Sequence, residues 1–161
     1  FEEQYNLKEE FPFIFASLAV GIGLATFLNG TLVVRLGMLK LVSIFTVVFT
    51  IIPLIYILMY YGQPNPSSKV LIVFFAVQFF SIGFLFGNTR ALAMQPIGHI
   101  AGIGAAINGF VSTIMAVPIA TFIGRFIAAT ALPLFIGFFV CGTLSLLLLW
   151  ALSSKYFVLQ K

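Results

Sequence analysis

Residues 41–61 read LVSIFTVVFTIIPLIYILMYY, and from Leu41 to Tyr61 there is no charged side chain. A helix rises about 1.5 Å per residue, so this run covers roughly 30 Å, the thickness of a bilayer's hydrocarbon core. A barrel strand would alternate apolar and polar residues over about ten positions. This run is continuously apolar, so it reads as a membrane-spanning helix.

Four more runs of the same kind flank it, at about 11–34, 69–92, 102–123 and 132–152. The expected fold is therefore an all-α integral membrane domain of five transmembrane helices over residues 11–152. An acidic extracytoplasmic loop, 1–10, precedes it and a cytoplasmic tail, 153–161, follows. The separators Arg35–Lys40, Gly62–Ser68, Met94–His99 and Gly124–Ala131 are short and carry turn chemistry. Pro12 and Pro133 stand at or near helix starts, where a missing N–H costs little. Pro53 and Pro118 fall inside spans and predict kinks, which neighbouring helices can accommodate.

Composition agrees. Of 161 residues, 61% are hydrophobic and only 7% charged, against about 25% charged in a soluble domain. The net charge of +4 is uneven: Glu2, Glu3, Glu9 and Glu10 are the only acids, and none occurs from Phe11 onward. No Lys/Arg run could hold a phosphate backbone, so no nucleic-acid partner is expected. His99 and Cys141 each stand alone, which predicts no metal site and no cofactor. There is no Gly-x-x-x-x-Gly-Lys loop, and no carboxylate near a span to complete a catalytic triad. No enzymatic activity is expected. Membrane proton relays usually rest on Asp, Glu or His, so this chain is not expected to carry the main proton path alone. Phe1 opens the chain and no signal peptide is recognisable, so the start reads as the interior of a longer protein.

Alternate separators fall on alternate sides of the membrane. One side collects Arg35, Lys40, Arg90, Lys155 and Lys161; the other collects Lys8, Lys69 and Arg125. The positive-inside rule makes the first side cytoplasmic, with the N-terminus outside and the C-terminus inside. Tyr56, Tyr60 and Tyr61 read as an interfacial aromatic belt at the outer end of the second span.

Side-chain amides sit in the first, third and fourth spans: Asn29, Gln78, Asn88 and Asn108. Most span glycines lie there too, which predicts that these three helices are inner and the second and fifth nearer lipid. In the third span, Gln78, Ser81, Asn88 and Thr89 share one side, opposite Ala76, Gly83, Gly87 and Ala91. Asn108, Ser112, Ala116, Ala120 and Gly124 recur at four-residue steps in the fourth. Two readings stay open: close helix packing through small residues, or the wall of a polar cavity. The cavity candidates are Asn29, Gln78, Ser81, Asn88, Asn108 and Ser112. Arg90, near the cytoplasmic end of its span, is either a snorkelling anchor or a residue at a cavity mouth.

Two stretches carry a family resemblance. Gly30-Thr31-Leu32-Val33-Val34-Arg35-Leu36-Gly37 resembles the Gly-x-Leu-x-x-Arg-x-Gly loop of the major facilitator superfamily, with Val34 where an acid usually precedes the arginine. Pro96-Ile97-Gly98-His99-Ile100-Ala101-Gly102, after Arg90, is similar to the segment between helices 10 and 11 of Bcr/CflA-type drug–proton antiporters. Tyr5-Asn6-Leu7 also resembles that group just before helix 8. The resemblance covers nearly the whole chain. It implies that the five spans are helices 8 to 12 of a twelve-helix transporter in a bacterial inner membrane. The implied partners are the lipid bilayer, the missing N-terminal half of the transporter, protons and a small amphipathic organic substrate, exported by alternating access. It also implies that helices 8, 10 and 11 border the cavity. Gly30, Arg35, Gly37, Arg90, Pro96, Gly98, His99 and Gly102 would belong to the cytoplasmic loop contacts. Two other readings remain: a facilitator importing a small metabolite, and a stand-alone five-helix accessory membrane protein.

Overall fold

The computed structural model describes residues 9–126 and 130–159. They form helix α1 (Phe11–Leu36), α2 (Met38–Tyr60), α3 (Ser68–Met94), a 3-10 turn (Gln95–Ile100), α4 (Ala101–Gly124) and α5 (Leu132–Leu159). There is no strand among the described residues. Four helical stretches are long and apolar enough to cross a membrane: Phe11–Leu36, Met38–Tyr60, Ser68–Gly124 and Leu132–Ala151. The chain is an all-α, multi-pass membrane protein by length and composition of its helices.

The third stretch is 57 residues long, about 85 Å if straight. It is not straight. Phe75 near its start packs on Phe135 of α5, with ring centroids 5.3 Å apart. Ile123 near its end packs on Gly137 of α5. Both ends therefore lie beside the start of α5, so the stretch reverses between them. The reversal falls at Pro96, within the 3-10 turn, where Ile97 leaves helical geometry (φ −119°, ψ 25°). Proline removes a backbone donor at the point where the chain folds back.

The helix limits extend the sequence-based spans by a residue or more at several ends. Arg35–Lys40 was expected to be a loop; instead Gly37 alone separates α1 from α2. Its φ of 80° lies in the left-handed region that only glycine enters freely. Its N–H caps α1 by donating to Val33 O at 2.9 Å. The α5 helix also continues past 152 to Leu159, so the expected tail is helical over 153–159. The acidic segment 1–8, with Lys8, lies outside the described residues, as do residues 127–129 and Lys161.

Packing departs from the expected order of inner and outer helices. Helix α3 packs lengthwise on both α1 and α2, and α2 packs lengthwise on both α3 and α5. So α2, expected near lipid, is interior to this bundle. Helix α4, expected inside, is exposed along almost its whole length and touches its neighbours chiefly near its ends. Counting only amides and glycines misled, because α2 packs through aromatic and threonine side chains instead. Phe45 stacks on Phe84 of α3 at 3.8 Å, and Tyr56 stacks on Phe135 of α5 at 3.8 Å. Tyr56 is thus a core residue rather than part of an interfacial belt, whereas Tyr61 is exposed.

Glycine permits close approach at four places, one of them Gly104, which lies against Ile97 of the 3-10 turn and Met94 of α3. A Cβ on Gly83 would lie 2.6 Å from Ala25 Cβ and 2.8 Å from Ile22 O, so α1 and α3 touch backbone to backbone there. Gly142 of α5 lies against Thr50 of α2, and Gly137 receives Ile123 of α4. These are the small-residue contacts that let membrane helices gain van der Waals energy.

Candidate functional site

Polar groups in apolar helices must find partners, since hydrocarbon offers none. The hydroxyls are satisfied locally. Ser43, Thr46, Thr50, Ser81, Thr89, Thr113, Thr121, Thr143 and Ser145 each donate to the carbonyl one turn back on their own helix.

The amides reach across helices. Asn88 of α3 donates through Nδ2 to Asn29 Oδ1 at 2.6 Å and to Phe84 O at 2.9 Å. Asn29 of α1 donates back to Asn88 Oδ1 at 3.4 Å. The two carboxamides form a reciprocal pair, with Asn88 buried and Asn29 half-buried. This pair bolts α1 to α3 one to two turns before their C-terminal ends.

Gln78 is 0% exposed. Its Nε2 donates to Phe49 O of α2 at 3.2 Å. The reason lies four residues along α2: Pro53 has no N–H, so Phe49 O loses its intrahelical donor. Gln78 supplies the donor from α3. Its own Oε1 is buried and has no hydrogen-bond partner among the described residues. Ser81, one turn further along α3, is also 0% exposed.

The cavity candidates therefore divide. Gln78, Ser81, Asn88 and, in part, Asn29 are enclosed in helix contacts of this chain. Asn108 and Ser112 lie on the bare helix α4, where Ser112 is exposed and donates to Asn108 Oδ1 at 3.4 Å. The two stripes expected on the third span do not keep separate partners: Gln78 faces α2, but Asn88 of the same stripe turns to Asn29 of α1, the helix that Gly83 also meets, while Ala76, Gly87 and Ala91 are exposed. What the sequence did not reveal is the backbone carbonyl freed by Pro53, although a proline inside a span signals one.

The loop-motif residues gather at one end of the bundle. Gly30, Arg35, Gly37, Arg90, Pro96, Gly98, His99 and Gly102 are all exposed. Arg90 places its guanidinium 4.0 Å over the Phe86 ring, a cation–π contact that fixes its direction. At the opposite end an apolar cleft of about 170 Å³ is lined by Phe11, Ile14, Phe15, Leu18, Phe75 and Phe79. It shares no residue with the amide candidates. Among the described residues no three His, Cys, Asp or Glu side chains come together. Comparison with protein-family models, curated proteins and solved structures gave no match.

Proposed function

We propose that this chain is the C-terminal part, helices 8 to 12, of a Bcr/CflA-type transporter of the major facilitator superfamily, exchanging protons for small amphipathic compounds. In this reading α3 and α4 are two separate crossings, five in all, and the end bearing Arg35, Lys40 and Arg90 is cytoplasmic in a bacterial inner membrane. Transport rather than catalysis is the role assigned.

The observation that carries the reading is helix α4. It is long, apolar and uncovered, yet bears Asn108 and Ser112 at mid-span. A carboxamide facing lipid is costly, so this face suits a second bundle and an aqueous cavity between the two. Alternating access by rocking of two such bundles places substrate at their interface. Asn108 and Ser112 then offer hydrogen bonds to cargo, and exposed Phe110 and Met115 offer loose apolar contact. Gln78, Ser81 and Asn88 serve the bundle itself.

The test is drug resistance conferred by the reading frame containing this chain in an efflux-deficient bacterium. Asn108→Ala at normal expression is expected to change the resistance spectrum, and a protonophore to abolish resistance. Resistance absent from the outset, or a spectrum unchanged by Asn108→Ala, overturns the reading or the site respectively.

A further inference from the structure

The donor and acceptor inventory at the α2–α3 contact does not close among the described residues. Phe49 O accepts one N–H of the Gln78 carboxamide. The Ser81 hydroxyl donates to Val77 O at 3.0 Å, leaving its oxygen lone pairs as acceptors. Gln78 Oε1 is buried with no partner among the described residues. Ser81 lies between Gln78, bonded to Phe49, and Phe84, stacked on Phe45. The antiparallel register thus sets Ser81 toward the same stretch of α2, Phe45 to Phe49. Gln78 Oε1 has no donor, Phe49 O and Ser81 Oγ keep free lone pairs, and the second N–H of Gln78 Nε2 is the one donor left over. A buried acceptor without a donor is costly, and native interiors rarely leave one.

We propose that this interface is a binding site for a single water molecule, which donates to Gln78 Oε1 and to the Ser81 or Phe49 oxygen. Water fits because it brings two donors to a place short of them, and two to four polar partners suffice to hold it. The site belongs to the contact between two helices of one bundle, so it does not depend on the transport reading. It makes the proline position of α2 a hydrated joint: Phe49 O can pass between Gln78 Nε2 and the water without losing a partner.

The experiment is water-edited solid-state NMR on the full chain in phospholipid bilayers. Magnetisation from water is expected to reach the Gln78 carboxamide about as fast as that of exposed Gln63. Transfer as slow as to the buried Phe84 ring overturns the proposal. A second arm compares thermal unfolding of wild type and Gln78→Met. With a water present, the substitution removes two satisfied hydrogen bonds, and the midpoint falls by about 2–6 °C. Without one, deleting an orphaned acceptor offsets the lost bond to Phe49 O, and an unchanged or raised midpoint overturns the site. Should Gln78→Met fail to fold, the wild-type NMR measurement decides alone.

Discussion

At the scale of single residues, Pro53 and Gln78 act as one unit although they are on different helices. Pro53→Ala restores an N–H that can donate to Phe49 O within α2. In that background Gln78→Met is expected to be about 1 kcal/mol less destabilising than in wild type. Unfolding of the four proteins of this cycle in detergent measures the coupling; additive effects would show that the Phe49 carbonyl is not what joins them. Asn29 and Asn88 make a second pair. Interhelical hydrogen bonds in membrane proteins are worth about 0.6 kcal/mol on average. Asn88→Ala is expected to lose about 1 kcal/mol, and the double alanine variant less than the sum of the singles. Neither pairing was legible from the sequence. The amides were recognisable as needing partners, but the partner of Gln78 is a main-chain oxygen, and that of Asn29 depends on which helices are adjacent.

At the scale of helices, the apolar runs located each element well, because twenty or so residues without charge have few alternatives to a membrane helix. Their neighbours were harder to read. The lack of glycine and amides in α2 suggested a lipid-facing helix, yet aromatic stacking at Phe45 and Tyr56 and the Thr50–Gly142 contact place it between α3 and α5. The small stripe on α3 was better information, since Gly83 does admit α1. Gly83→Leu is expected to separate those helices, because the nearest obstacle includes the Ile22 main chain, which cannot rotate away. Overpacking of this kind costs about 1–3 kcal/mol or more. Gly87→Ala on the same helix meets nothing within 4 Å and is expected to leave stability within about 0.5 kcal/mol. Equal losses from the two substitutions would contradict the close approach.

At the scale of the whole molecule, the distribution of charge sets an expectation for orientation. Arg35, Lys40 and Arg90 lie at one end of the bundle, with no acid after Glu10 to balance them. Arg35→Glu with Lys40→Glu is expected to lower the fraction inserted with that end in the cytoplasm, read by labelling of single cysteines placed at Met38 and Gln63. Unchanged labelling would show that other segments dictate topology. On the transporter reading proposed above, the bare surface of α4 predicts that coexpression with the remaining helices raises the chain's yield and melting temperature. The Gly37 junction adds a mechanical point. A connection of several residues, such as the one between α2 and α3, has slack and absorbs a tilt of either helix. A one-residue connection has none. If a second bundle moves against this one, as the transporter reading requires, a rotation of α1 passes to α2 through that single residue, and the pair would turn like a crank and its handle.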